Sequence, residues 1–307
     1  MRSIHPGLVL AAVLMGSAFG AGDSKLIPLT SGGSYVRDGK KYELGLYPGG
    51  KNEIPDAHRK AGERIAATIA PLNAEGKPDK NGNILAMAVG HSNPSYYFVT
   101  FTAKVKDGLK TGELHPKLVT GSVCYSGRMC PDWAEMCENG DPKLPKNTQV
   151  VFLLTSIHGA NRDITNQRWP ELSKMSFEQR TAAMKKDLKR IVHGLLKHCP
   201  ELKMVYLGSD TWRGYTQLEP QVYEEAFAIK ELIADQIKGD KDLAFEGPNR
   251  KAPWLACGGY IWENEPPRER FIKDGVHPTP EGNEFAAGRW FEALKSNPTC
   301  RGWFWVK

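Results

Sequence analysis

Five short apolar runs, at residues 84–89, 118–123, 150–155, 204–208 and 253–257, alternate with longer stretches of helical period. Runs this short and this continuously apolar read as strands covered on both faces, because a half-exposed strand would alternate with polar residues. The clearest helical stretches are residues 177–196, 221–237 and 280–294. Apolar strands interleaved with helices predict a central parallel sheet with helices on both faces. The fold class is therefore α/β, a three-layer α/β/α sandwich of flavodoxin-like type. Residues 96–105 pull two ways. Their aromatic and β-branched side chains favour a strand, but a helix must join the first two strands, and the segment is read as that helix.

The chain opens with Arg2, an apolar run at residues 8–15 and Ala18-Phe19-Gly20, the layout of a secretory signal cleaved before Ala21. That run is too short to span a bilayer. The expectation is an exported protein, periplasmic or secreted, with no stable membrane span once residues 1–20 are removed. Residues 21–83 read as an N-terminal strap and helix. Gly, Lys and Pro dominate residues 22–55, and Ala57, Ala61, Ile65, Ala66 and Ile69 mark a helix over 55–72, ended by Pro71. Residues 73–83 form a polar, turn-rich loop, and residues 84–307 hold the α/β domain.

All six cysteines lie after the signal. An even number in an exported chain favours disulfides, with about fifteen pairings open. Cys124, Cys130 and Cys137 share one loop-like stretch, where a local staple is expected. The net charge is +6, and +5 once Arg2 is lost. Lys and Arg are scattered. A cluster such as Lys185-Lys186-Asp187-Leu188-Lys189-Arg190 fits a solvated helix face, and no nucleic-acid partner is expected.

In open parallel sheets, chemistry collects at the carboxyl ends of the strands. Ser92, in Gly90-His91-Ser92-Asn93, follows the first run, and Gly127 follows the second. His158 and Gly159-Ala160-Asn161 follow the third, and Ser209-Asp210 the fourth, with Trp212 near the mouth that these ends form. Asp274-Gly-Val-His277-Pro-Thr-Pro-Glu-Gly282 precedes the last helix. An acid that orients a histidine and a histidine that takes a proton from a hydroxyl make a hydrolytic triad. Ser92 would attack an acyl carbon, and a free hydroxyl needs such a base. Plainer roles are open to the same residues: Ser92-Asn93 can cap a helix, and Asp274-Gly275 can form an ordinary turn. Trp133, Trp212, Tyr215, Tyr260 and Trp262 can stack on sugar rings or pack beneath loops. There is no nucleophile elbow G-x-S-x-G, H-E-x-x-H, P-loop or G-x-G-x-x-G. Zinc proteolysis, nucleotide hydrolysis and hydride transfer therefore find no support, and neither metal nor cofactor is expected.

The blocks Gly90-His91-Ser92, Gly127, Gly159-Ala160-Asn161 and Asp274-Gly-Val-His277 resemble those of the SGNH (GDSL-like) hydrolase superfamily, over about residues 84–295. A narrower similarity runs through Leu46-Tyr47-Pro48-Gly49-Gly50, Pro55-x-x-His58, Gly90-x-Ser92-Asn93 and residues 274–282. It is to exported bacterial proteins that join an SGNH core to an N-terminal strap. The resemblance implies that Ser92 is nucleophile and first oxyanion donor, that Gly127 and Asn161 are further donors, and that Asp274 and His277 complete the triad. Substrate contacts would come from His91, Asn93, His158 and Trp212. The implied reaction is cofactor-free hydrolysis of an ester, a small acyl or acetyl group on a carbohydrate. The implied partner is thus a small-molecule or carbohydrate ester. Three features depart from the pattern. His91 stands where the family has an acid, the third block reads Gly-Ala-Asn-Arg-Asp, and Gly121 competes with Gly127. They motivate the alternative of a catalytically inactive SGNH-fold protein that binds a glycan or protein partner.

Overall fold

The computed structural model describes residues 26–140, 142–157, 168–210, 220–263 and 266–306. A small hairpin comes first, β1 (Ser34–Arg37) and β2 (Lys40–Glu43). Asp38 at φ 52° and Gly39 at φ 76° close it, the pair of left-handed residues that a two-residue hairpin turn favours. There follow α1 (Asp56–Ala66), β3 (Ile84–Gly90), α2 (Ser92–Lys110), β4 (Leu118–Cys124), α3 (Cys130–Glu138) and β5 (Thr148–Leu154). Next come α4 (Pro170–Ser173), α5 (Phe177–His198), β6 (Met204–Asp210), α6 (Gln221–Ile237), β7 (Trp254–Ile261) and α7 (Pro280–Ser296).

Strands β3 to β7 form one parallel sheet in the order β4-β3-β5-β6-β7. The chain runs outward from β3 to β4 and then returns past β3 to β5. Winding therefore reverses between β3 and β5, and open parallel sheets place their ligand crevice at such a reversal, outside the carboxyl ends of the strands. Helix α2 covers one face and α5 the other. Every residue of central β5 is buried, as its continuous apolar run requires.

One face is rich in rings: Phe98, Phe101, Trp254, Trp290, Trp303 and Phe304. Trp290 of α7 lies where strands lack side chains. A Cβ on Gly258 or Gly259 would come within 2.5 or 2.7 Å of its ring, which accounts for two adjacent glycines inside β7. The other face is mainly aliphatic, with Met184, Leu188, Ile191 and Leu232 beside Trp133, Cys130, Cys137 and Cys199.

Three expectations resolve here. Residues 96–105 belong to α2, because Phe98, Phe101 and Val105 recur at helical spacing and bury against the sheet. Packing overrides their intrinsic strand preference. The first helix ends at Ala66, short of Leu72. Pro71 disfavours helix at the residue before it, and Leu72 is instead extended, exchanging backbone hydrogen bonds with Asn83 at 2.9 and 3.0 Å. The expected disulfides are absent, since all six cysteines are free thiols. Cys130 and Cys137 both lie on α3, two turns apart. A rise of about 1.5 Å per residue separates them by roughly 10 Å, beyond the Cα reach of a disulfide.

The strap packs against α6 and β7. Tyr35 stacks on Tyr223 with centroids 3.8 Å apart. Lys230 Nζ donates to the carbonyls of Glu43 and Leu44 at 2.6 and 3.1 Å. The Cys257 amide donates to Tyr47 Oη at 3.1 Å. Among the described residues, no helix is long and apolar enough to cross a membrane.

Candidate active site

Strand β3 delivers Ser92 to the crevice. It ends at Gly90, where any side chain would collide with the Leu154 carbonyl of β5. The Gly90 carbonyl accepts from Tyr125 N at 2.9 Å and Trp133 Nε1 at 3.1 Å, so the strand end is tied to the β4 loop and to α3. His91 is extended, and α2 begins at Ser92. The capping role is not taken: Ser92 is the first helical residue, and its hydroxyl meets His277.

The segment before α7 folds back on itself. Ile272 N donates to His277 O at 2.9 Å, Thr279 N to Arg270 O at 2.9 Å, and Gly275 N to Ile272 O at 2.9 Å. Gly275 sits at φ 73°, a left-handed position that suits glycine. Thr279 caps α7 by accepting from Gly282 N at 3.4 Å, with Pro280 at the first helical position. The turn and helix start read from the sequence are therefore real, and the same turn presents the polar pair.

Asp274 Oδ1 accepts from the amides of Val276 and His277 at 2.9 and 3.0 Å. Asp274 Oδ2 lies 2.6 Å from His277 Nδ1, and His277 Nε2 lies 3.0 Å from Ser92 Oγ. Partial burial pushes the Asp274 carboxyl upward, but the His277 hydrogen bond and the two backbone amides outweigh it and lower it to about 2. An ionised carboxylate only accepts, so His277 Nδ1 carries the proton and Nε2 accepts from the serine hydroxyl.

Neighbouring residues brace this relay. Arg268 Nη1 donates to Phe271 O and Ile272 O at 3.3 and 2.8 Å, and its Nη2 to Lys273 O at 2.8 Å. Asn93 Nδ2 donates to Val276 O at 3.4 Å, linking the head of α2 to the histidine turn. The Tyr96 and His277 rings meet edge to face, with centroids 5.6 Å apart. His91 is buried, and its Nδ1 has no hydrogen-bond partner among the described residues. Burial, then the nearby His277, lowers its pKa to about 4, so the ring is neutral near pH 7. Sequence reading missed Arg268 and Tyr96. Tyr96 was discoverable, one helical turn beyond Ser92 on the same face. Arg268 sits in Pro-Pro-Arg-Glu-Arg and carries no periodic signal.

Gly127 lies in the exposed turn after β4, at φ 71°. Gly121 lies inside β4 opposite Met87, so Gly127 is the glycine of the loop. Arg168 Nη1 donates to the Gly127 carbonyl at 2.6 Å, and its Nη2 to Asp132 Oδ1 at 2.5 Å. Asp132 Oδ2 accepts from Met129 N at 2.8 Å, at the head of α3. His158, Asn161, Trp212 and Tyr215 lie outside the described residues.

Of the two roles open to the rings, the described ones take the packing role. Trp133 is fully buried, because its indole N–H is spent on Gly90. Tyr260 and Trp262 stack on each other at 6.1 Å, and Tyr260 Oη accepts from Leu29 N of the strap at 2.9 Å. The histidines at 58, 193 and 198 each bond a carbonyl, of Leu255, Asp242 and Leu144.

No family model matches the chain, and no curated protein does. Several solved structures are similar to it. A lipase/acylhydrolase from Enterococcus faecalis aligns with TM-score 0.45 and 12% identity, covering 69% of this chain and 95% of that one. A carbohydrate esterase family 3 protein from Talaromyces cellulolyticus aligns with TM-score 0.44 and 11% identity, covering 71% and 100%. An acetyl xylan esterase aligns with TM-score 0.43 and 17% identity, covering 68% and 99%.

Proposed function

We propose that this chain is an SGNH-type serine ester hydrolase that acts without a cofactor. The observation that carries the reading is the continuous relay from Asp274 through His277 to Ser92, with contacts of 2.6 and 3.0 Å. Three residues of the right types meet in the right order at the switch point of a parallel sheet, although Ser92 and His277 are 185 positions apart.

Ser92 Oγ attacks the acyl carbon while its proton passes to His277 Nε2. Asp274, held ionised, stabilises the imidazolium that forms and keeps the ring oriented. The carbonyl oxygen gains the negative charge. The Ser92 amide stands at the head of α2, where the first backbone donors of a helix have no partner within it. With the Gly127 amide, it is the assigned donor for that charge, and Asn161 is the third. His277 then gives its proton to the departing alcohol and the acyl group stays on Ser92. Water, deprotonated by the same ring, attacks the acyl-serine and releases the acid. We assign the ester to a small acyl group on a carbohydrate and the site of action to the periplasm or outside the cell. Support for both comes from the sequence resemblance and the signal-like residues 1–20.

The test is hydrolysis of a p-nitrophenyl ester panel and an acetylated xylan by the mature protein and its Ser92→Ala variant. Removal of the nucleophile is expected to lower kcat by about 10³-fold or more, with acetyl favoured over longer chains. Equal rates in the two proteins, with the variant folded, would overturn the assignment and favour a binding protein that keeps the fold.

A further inference from the structure

Beside the Gly127 turn, the outer face of α3 is open. Cys130, Trp133, Ala134 and Cys137 bury one side of that helix. Asp132, Glu135, Met136 and Asn139 fall at steps of three and four on another, so they form one continuous stripe. The stripe lines a groove of about 560 Å³, which Tyr125, Ser126, Arg128 and Lys143 complete. That volume lies within the range of small-molecule sites, roughly 300–1,000 Å³. The groove adjoins the catalytic crevice. Tyr125 is bonded through its amide to Gly90, two residues before Ser92, and Gly127 is the residue between Ser126 and Arg128.

The lining selects a class of ligand. Its two carboxylates, Asp132 and Glu135, offset its two cations, Arg128 and Lys143, so the groove offers little net field to a polyanion or polycation. Carboxylate and amide groups at helical spacing, with the Ser126 hydroxyl in the turn, supply both donors and acceptors for adjacent hydroxyls. Tyr125 and Met136 supply apolar surface for the C–H face of a ring, and Tyr125 is itself held on Trp133 at 5.5 Å. The groove does not form by collapse of a loose turn. Arg168, bonded to Gly127 and Asp132, locks the turn to α3.

We propose that this groove binds uncharged sugar units of the alcohol half of the substrate, along the outer face of α3. The proposal deepens the carbohydrate-esterase reading and rests on it for the direction in which the chain runs from Ser92. Binding itself can be measured without turnover.

The experiment is calorimetric titration of the Ser92→Ala protein with xylotetraose, cellotetraose and chitotetraose, and with tetragalacturonate as the charged control. The same titrations use the Glu135→Ala/Asn139→Ala double variant and the Asn139→Ala single variant, both changed at exposed positions. At least one neutral oligosaccharide is expected to bind, the double variant to weaken it by about tenfold or more, and the single variant by less. Tetragalacturonate should bind more weakly than the neutral chain. In the Ser92-containing protein, the double variant should raise KM for an acetylated oligosaccharide and leave p-nitrophenyl acetate turnover unchanged. The proposal falls if no neutral oligosaccharide binds, or if the double variant binds it as tightly as its parent. It also falls if the charged control binds better. Failure of the esterase reading is seen separately, as p-nitrophenyl acetate turnover that does not depend on Ser92.

Discussion

On one face of the sheet, α2 and α7 meet over rings: Phe98 lies 5.4 Å from Trp290, and Phe152 of β5 lies 5.6 Å from it. On the other, α3, α5 and α6 meet over aliphatic side chains and thiols. The ring-rich face carries both ends of the proton relay, since Ser92 heads α2 and His277 precedes α7. The aliphatic face carries Gly127, Arg168 and the groove along α3. Large interlocked side chains hold two helices at a fixed offset, which suits a hydrogen bond that must stay near 3 Å. A turn held by one guanidinium suits a wall that meets substrates of varied shape. The proton relay and the wall should therefore fail separately, and substitutions on each side can test that.

The largest effect is expected at Trp290. Truncation to Ala leaves a cavity over Gly258 and Gly259 that the strands cannot fill, and should destabilise by about 3–5 kcal/mol. Ile191→Val, fully buried on the other face, should lose only about 1 kcal/mol. Urea midpoints of the two variants decide this. A loss at Trp290 no larger than that at Ile191 would mean that the strands are not moulded to the indole. Because α7 follows directly from the histidine turn, Trp290→Ala should also lower kcat at temperatures where the protein remains folded.

His91 comes next, at the seam between the faces. Its folded pKa of about 4 lies below the ordinary 6.5, so the unfolded chain binds the extra proton first as pH falls. Stability is therefore complete above about pH 6.5 and declines down to about pH 4, by up to about 3 kcal/mol. Urea unfolding at pH 7.5 and 4.5 measures the decline. His91→Asn should flatten it relative to the parent, and parallel curves for the two proteins would rule out this role. The same burial bears on the family pattern. A neutral histidine in place of an acid adds no positive charge beside His277, so the departure at this position leaves the relay intact.

The parts of the molecule legible in sequence were those set by local pattern. Central strands read as apolar runs because both their faces are covered. Asp274 and His277 read as a pair because one turn holds them three residues apart. Ser92 read as their partner because strand ends converge in a parallel sheet, which is a rule of topology. What did not read depends on distance in space. Arg268 acts through carbonyls that have no residue identity, and Arg168 through one such carbonyl and a carboxylate 36 positions away, so nothing local in the sequence marks their targets. The cysteines misled for a related reason. Their even number is a compositional signal, whereas α3 keeps Cys130 and Cys137 two turns apart. Trp133 read equally as a sugar platform or a packing ring, and the choice rested on a contact distant in sequence, its indole N–H on the Gly90 carbonyl.

The smallest effect, and the sharpest test of separability, is at Arg168. Its side chain is about one-third exposed and its partner Asp132 is mostly covered, so its loss removes two hydrogen bonds at the edge of the fold and no core packing. Arg168→Ala should lower stability by only about 1 kcal/mol, read from the urea midpoint. The Gly127 turn, however, loses the donor that fixes its carbonyl. A turn free to shift by a fraction of an ångström positions its amide less well against the developing oxyanion, and kcat should fall by roughly tenfold. The Ser92–His277 contact lies on the other face, so the shape of the pH–rate profile should not change. Arg168→Lys restores a charge but not the fork that spans Gly127 and Asp132, and should recover only part of the loss. A kcat unchanged in Arg168→Ala would detach the turn from catalysis. A changed pH profile would show that the two faces are coupled, and that the relay does not stand on the ring-rich face alone.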